Sequence, residues 1–312
     1  MLLSGRLNRK EARALTEAAK ILSPRPAVRI DPAGLTALLL GTGIIAWSGV
    51  LVRFLDVGPL AGAAWRMSLA VPALALWSRI SAGRRAAPLN VVAYARPLIL
   101  AGLAFSVDVG CFHLSLTGTS VANASFIGNV APIIAVIGGA LFFREHPPAR
   151  VWPALALALL GSWVMAGMLP PSRIGYGDAL ALLAACAYAS YLLFIKQVRS
   201  GLDGATATML SAAVSALALI VAAILHGEKL IPTSATGWVT VALLGFVSHA
   251  GGQGLTSVAV GRVPVGLVAV VILAQPPVTA ILAYLVVHEP MSTLQMIGGA
   301  VILAAVFLAR PK

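Results

Sequence analysis

The stretch NVAPIIAVIGGALFFRE, residues 129–145, is an apolar run with a proline near its start and a glutamate at its end. The stretch LAQPPVTAILAYLVVHE, residues 273–289, has the same form. A shift of 144 residues lays Pro132 on Pro276 and Glu145 on Glu289, and it aligns residues 115–124 with residues 259–268 without a gap. The chain therefore contains two copies of one apolar unit.

The composition of the chain excludes a water-soluble protein. Of its 312 residues, 59% are hydrophobic and only 10% are charged, whereas soluble domains carry about 25% charged residues. Apolar runs of about 20 residues match the hydrocarbon core of a bilayer. With only Cys111 and Cys186, the sequence also excludes a disulfide scaffold and offers no zinc-ligand pattern. These features predict an all-α membrane protein without a bound metal or cofactor.

Proline, glycine and charged residues divide the chain after Pro32 into ten predicted membrane-spanning helices. The division is least clear at 116–120, where a short polar and glycine-containing stretch separates the third span from the fourth. The predicted spans are 33–53, 59–80, 96–117, 119–142, 151–169, 176–196, 205–226, 237–257, 264–287 and 291–310.

Five predicted spans fall in each copy, which divides the chain into a cytosolic basic tail (1–32), a first repeat (33–170) and a second repeat (171–312). Because five is odd, the second repeat enters the membrane in the opposite sense, and this inverted symmetry favours alternating access. Of the 22 Lys and Arg residues, all but Arg53, Arg66, Arg173 and Lys229 fall on the side of both termini. That side is predicted to be cytoplasmic. The net charge of +12 thus indicates contact with membrane lipid rather than nucleic acid.

Two further motifs accompany the repeated proline and glutamate: Ala-Trp-Ser at 46–48 in the first span and Ala-Trp-Arg-Met at 64–67 in the second. Together with the two five-span halves, they resemble the EamA-type members of the drug/metabolite transporter superfamily over residues 32–311. The resemblance implies a bacterial inner-membrane exporter of amino acids or related small metabolites, not an enzyme, acting as a monomer or homodimer. Within the family it points toward the aromatic amino acid exporters. The chain departs from the family pattern at Arg53, where a lysine is common.

Six polar or aromatic residues are predicted to lie near the membrane midplane, by counting about 1.5 Å per residue from the start of each span. They come from six different spans, so they can converge on one substrate site. The six residues are Trp47, Asn129, Trp163, Tyr188, His249 and Gln275.

Asn129 and Gln275 stand at nearly equivalent positions just before the repeated prolines. Each proline releases the carbonyl four residues earlier, here that of Gly128 or Ile272, and such groups suit the ammonium and carboxylate of an amino acid. Alternatively, the two amides only form hydrogen bonds with the backbone groups that the prolines leave unpaired, or with a neighbouring helix. The aromatic residues serve as pocket walls or as packing. His249 either binds substrate and senses pH or remains a neutral contact between helices.

Arg66 and Asp108 carry the two charges that lie deep in predicted spans. They are predicted to form an ion pair, because a single charge within a membrane is costly and the two lie at similar depth. Two functional alternatives stay open: Arg66 holds a substrate carboxylate, or Asp108 carries a coupling proton.

Other classes of membrane protein fit the sequence less well. A channel or a sensory receptor is the main alternative to a transporter. An intramembrane aspartyl protease is a remote third, because Gly175-Tyr176-Gly177-Asp178 matches its motif but Asp108, the other deep acid, lies about 12 Å lower. An ATP-driven pump is disfavoured, since no lysine follows a glycine as a Walker A loop requires.

Overall fold

The computed structural model describes residues 31–82, 91–167 and 175–309. The predicted basic tail lies outside these residues, apart from Asp31 and Pro32. All regular secondary structure in the described ranges is helical, which confirms the predicted all-α class.

The first half of the chain begins with a helix that Asp31 caps by accepting a hydrogen bond from the Ala33 backbone N–H at 3.0 Å. Short 3₁₀ turns follow at Val52–Phe54 and Val92–Tyr94. The helices are α1 (Pro32–Ala46), α2 (Ser48–Leu51), α3 (Pro59–Ala82), α4 (Ala95–Ser115), α5 (Val121–Gly128), α6 (Ala131–Phe143) and α7 (Val151–Met165).

The second half contains one long helical stretch that changes its winding. Between α10 and α11, residues Leu243–Gln253 form a π-helix, which includes His249, Gly251 and Gly252. The helices are α8 (Tyr176–Val198), α9 (Gly204–Leu225), α10 (Ala235–Ala242), α11 (Gly254–Val260), α12 (Val265–Ile272), α13 (Gln275–Val287) and α14 (Thr293–Ala309).

Many of these helical segments are suited to a bilayer. Within the described residues, seven are long and apolar enough to cross a membrane, and α7 and α14 are apolar but shorter. The chain is therefore a multi-pass membrane protein, while the count of ten spans stays a prediction. The seven segments are Pro32–Phe54, Pro59–Ser81, Val92–Ser115, Asn123–Phe143, Tyr176–Val198, Gly204–Leu225 and Val265–Val287.

The fourth and ninth predicted spans are each interrupted at the repeated proline. Helix α5 ends at Gly128 and α12 ends at Ile272, the two residues whose carbonyls the prolines were predicted to release. Pro132 and Pro276 then lie in the first turn of α6 and of α13, where a missing N–H costs least. The equivalent breaks leave polar backbone in the middle of both spans.

The halves interlock through a regular set of helix contacts. Helix α8 packs against α4, and α1 packs against the π-helix and α11. Helix α3 packs against α9, α6 against α12, and α7 against α14. The last pair buries an apolar cluster that includes Leu155 and Ile302. Each of these contacts joins one half of the chain to the other.

Helix α1 approaches the π-helix so closely that only glycine fits at one crossing point. A Cβ atom on Gly41 would lie 2.8 Å from the carbonyl oxygen of Gly252 and 2.9 Å from the hydroxyl of Thr256. Two residues along, a Cβ atom on Gly43 would meet nothing within 4 Å. Small residues of this kind let membrane helices pack backbone to backbone.

We expect Gly41→Ala to destabilise the protein by about 1–3 kcal/mol, because the added methyl group overpacks this crossing. Gly43→Ala is the matched control and should leave stability unchanged or slightly raised, since alanine favours helix. Thermal unfolding of the two variants in the same detergent measures the difference. Equal midpoints would contradict the close contact.

Candidate functional site

A cavity of about 700 Å³ lies between the two halves of the chain. This volume falls in the range of about 300–1,000 Å³ typical of small-molecule sites. Its wall is formed by residues of α1 to α8 and α12 to α14, and includes the end of the π-helix. The cavity therefore draws on both halves and meets both proline breaks.

The two amides predicted from the proline positions both border the cavity. The Asn129 side-chain amide donates to the Ser162 hydroxyl at 3.1 Å, and that hydroxyl donates to the Ala158 carbonyl at 2.9 Å. The Gln275 side-chain nitrogen is buried and makes no hydrogen bond. Asn129 thus has a partner on α7, whereas Gln275 keeps an unused donor beside the cavity.

Tyr188 also borders the cavity, at the edge of an aromatic cluster. Its ring stacks on Tyr191 with ring centroids 6.1 Å apart, and Phe105 packs 4.8 Å from Tyr191 and 5.5 Å from His249. The Gln253 side chain donates to the Tyr191 hydroxyl at 3.1 Å. Of this cluster, Phe105, Tyr188 and Gln253 border the cavity.

Three of the six predicted site residues are not on the cavity wall. His249 is buried behind Phe105 as a contact between helices. Trp47 and Trp163 are 39% and 37% exposed and do not border the cavity. The residues beside Trp47, Ala46 and Ser48, border the cavity instead. Counting residues along a span gives the depth of a residue in the membrane. Each residue rotates the helix by about 100°, so the depth does not determine on which face of the helix a side chain lies.

Arg66 and Asp108 both border the cavity, but they do not form the predicted direct ion pair in this structure. Among the described residues, ion pairs closer than 4.0 Å join other side chains. The Arg66 Nε is buried and has no hydrogen-bond partner. Because both charged side chains border the cavity, each can pair with a molecule bound there instead of with the other.

The sequence reasoning missed several wall residues, among them Phe105, Gln253 and Thr279. The Thr279 hydroxyl donates to the Ala46 carbonyl at 2.8 Å and so ties the end of α1 to α13. Its place three residues after Pro276, inside an apolar run, was an available signal. Phe105 was detectable only from its spacing to Asp108, since 105, 108, 109 and 112 share one face of α4 and all border the cavity.

Two ion pairs join the halves at opposite ends of the helix pair α12 and α13. Glu145 pairs with Lys196 and also accepts a hydrogen bond from the Val265 backbone N–H, at the start of α12, at 3.0 Å. Glu289 follows the end of α13 and pairs with Arg53. Each pair joins a glutamate of one half to a cation of the other.

The two ion pairs differ in their surroundings. Side chains of Glu145 and Lys196 are 20% and 18% exposed, against 48% and 44% for Arg53 and Glu289. Arg53 and Glu289 border the cavity, whereas Glu145 and Lys196 are not among its wall residues. The cavity therefore extends to the Arg53–Glu289 end and stops short of the other.

The protease-like motif has a structural role at the start of α8. The Asp178 carboxylate accepts from the Gly175 backbone N–H at 3.0 Å and from the Asn123 side chain at 2.6 Å. An acidic residue in the first turn commonly satisfies a helix N-terminus in this way. This aspartate thus joins the start of α5 to the start of α8.

A family model matches the chain twice, over residues 32–167 and 175–310, and it is that of the EamA-like transporter family. The chain belongs to this family. Its two repeats are two EamA units, consistent with the drug/metabolite transporter superfamily. The EamA-like transporters are membrane transporters rather than enzymes, and the family implies a small-molecule substrate and a lipid environment.

Comparison with solved structures supports the fold of this EamA-like transporter. One crystal structure, described only as that of a protein, matches with a TM-score of 0.72 at 18% sequence identity. The match covers 88% of this chain and 96% of the other. No curated protein matches the sequence significantly.

Proposed function

We propose that this EamA-like transporter exports amino acids or related zwitterions across the bacterial inner membrane by alternating access, with both termini in the cytoplasm. The observation that carries the proposal is a cavity between two repeats that reaches one of two equivalent ion pairs, which is exposed, and stops short of the other, which is largely buried. A transporter that exposes its site to one side at a time needs such a difference between its ends.

The ion pairs are related by the sequence repeat. The shift that lays Glu145 on Glu289 is 144 residues, and a shift of 143 lays Arg53 on Lys196. Exchanging the two repeats therefore turns one ion pair into the other. This relation supports ten spans arranged as inverted repeats.

Other contacts obey the same exchange. A Cβ atom on Gly177 of α8 would collide with the backbone at Gly118, in the turn after α4. Its repeat equivalent, Gly34 of α1, meets Arg262 in the turn after α11, where a Cβ atom would lie 2.7 Å from the Arg262 Cβ. The packing of α8 on α4 likewise corresponds to that of α1 on the π-helix and α11.

In the proposed cycle the described conformation is open to the outside, the side predicted for Arg53. The Glu145–Lys196 pair closes the cytoplasmic end. Exchange of the two repeats' tilts would open that pair to load substrate from the cytoplasm and would bury the Arg53–Glu289 pair. Substrate would then leave by the outer opening.

The proposed substrate is an amino acid, with a preference for large or aromatic side chains as in the aromatic amino acid exporters. Phe105, Phe112, Phe126 and Tyr188 supply apolar wall, while Asn129 and Gln275 supply polar groups at the two breaks. Such a wall tolerates varied side chains, which favours broad specificity.

Counterflow with a panel of labelled amino acids, using purified protein in liposomes, tests this function. A carrier exchanges labelled for unlabelled substrate and saturates. A flux that rises without saturation would instead indicate a channel, and a protein that moves none of the panel would argue for a receptor.

We expect Lys229 and Lys312 to lie on opposite sides of the membrane, from the distribution of basic residues. Single cysteines at these positions, in a background with Cys111 and Cys186 replaced by alanine, should differ in labelling by an impermeant thiol reagent. Position 229 should react in intact cells and position 312 only after permeabilisation. Reaction of both from the same side would reject the inverted topology.

A further inference from the structure

We propose that Arg66 and Asp108 are the two charged poles of the substrate site, Arg66 binding the carboxylate and Asp108 the ammonium of a zwitterion. This inference rests on the proposed transport function and changes its site, which the sequence had assigned to uncharged groups. In this proposal each of the two residues pairs with one charge of the substrate, rather than permanently with the other residue.

Both charged side chains border the same cavity without forming an ion pair with each other. Arg66 lies on α3 and Asp108 on α4, and both border the cavity, yet they are not within 4.0 Å of each other. The buried Arg66 Nε has no hydrogen-bond partner. A charge within a membrane normally has a partner, so this pair of charges is arranged to receive one.

The two charged side chains are chemically complementary to a zwitterion. A guanidinium group binds a carboxylate through parallel hydrogen bonds, and a carboxylate accepts from an ammonium group. The two protein charges sum to zero, and so do those of a zwitterionic amino acid. A simple amine or carboxylic acid would match one pole and leave the other charge unpaired, which costs affinity.

Aromatic side chains lie beside Asp108 on the cavity wall. Asp108 is flanked on the cavity face of α4 by Phe105 and Phe112, one turn before and one turn after it. An ammonium group at Asp108 would therefore be surrounded by aromatic surface. The Gln275 donor, which has no partner, offers a further hydrogen bond to the substrate.

The test is competition against labelled phenylalanine counterflow, with phenethylamine lacking the carboxylate and 3-phenylpropionate lacking the ammonium. For the wild-type protein, both analogues should compete at least about tenfold more weakly than phenylalanine. Arg66→Gln leaves a net negative site and should shift preference toward phenethylamine. Asp108→Asn leaves a net positive site and should shift preference toward 3-phenylpropionate.

The reciprocal shift is the decisive readout, because loss of a merely structural ion pair would weaken all three competitors alike. Should the single variants fold poorly, the double variant Arg66→Gln/Asp108→Asn keeps the cavity neutral. That variant should lose the advantage of phenylalanine over both analogues.

Three results would overturn the inference. Folded variants that keep the wild-type order of competitors would show that the charges do not bind substrate. Asp108→Asn that keeps this order but loses proton-driven accumulation would make Asp108 a proton carrier instead. Wild-type liposomes that exchange no amino acid would overturn the proposed function together with this inference.

Discussion

Reversing the charge of Lys196 should abolish transport, because two facing carboxylates would then separate the repeats where they close the cavity. Glu145 is its largely buried partner and also holds the start of α12 through the Val265 N–H. Two like charges at such a position destabilise the contact far more than the loss of an exposed ion pair does, since an exposed pair contributes only about 0–1 kcal/mol to stability. We expect Lys196→Glu to lower counterflow at least about tenfold.

Restoring the pair should restore part of the activity. The double variant Glu145→Lys/Lys196→Glu brings opposite charges back together but leaves the Val265 N–H without its acceptor, so recovery should be incomplete. A double variant no better than Lys196→Glu alone would show that the pair does not act as a closure.

Cysteine labelling can measure which end of the cavity is open without a transport assay. A cysteine at Ala280, on the cavity wall, should react with an impermeant reagent through the Arg53–Glu289 end. Weakening the inner pair with Glu145→Gln should shift the population toward the inward-open state and slow this reaction. Glu289→Gln is the matched control at the equivalent position and should not slow it. Equal labelling in both variants would contradict the assignment of the two ends.

Replacing Gln275 by leucine should abolish transport while leaving the protein folded, because Gln275 borders the cavity at the second proline break and its side-chain nitrogen makes no hydrogen bond within the protein. Leucine has a similar volume and preserves the apolar packing, so the change removes a hydrogen bond to substrate and little else. Hydrogen bonds to charged groups contribute about 1.5–3 kcal/mol, which corresponds to a loss of at least about tenfold in affinity.

Asn129→Leu should have a mixed effect, since this amide also binds Ser162 across to α7. It should lower both transport and thermal stability. Gln197→Leu, at an exposed position outside the cavity wall, is the control and should change neither. Full transport by both Asn129→Leu and Gln275→Leu would show that these amides only join helices.

The sequence by itself determined the membrane class, the two repeats and the position of the polar breaks. These are local or compositional properties: apolar content sets partition into the bilayer, and proline removes a hydrogen bond wherever it stands. Helices α5 and α12 end at Gly128 and Ile272, the two residues whose carbonyls the prolines were predicted to release, although both spans were predicted to be continuous.

Only the tertiary structure decided which side chains share the cavity. The rotation of each helix about its axis depends on contacts with distant segments, such as the crossing of Gly41 and Gly252 or the hydrogen bond from Thr279 to Ala46. Those contacts turn Trp47 outward and bring Phe105 to the wall. The tertiary structure also decided which of two equivalent ion pairs is the more buried, because both pairs follow from the same repeat and only their surroundings in the fold distinguish them.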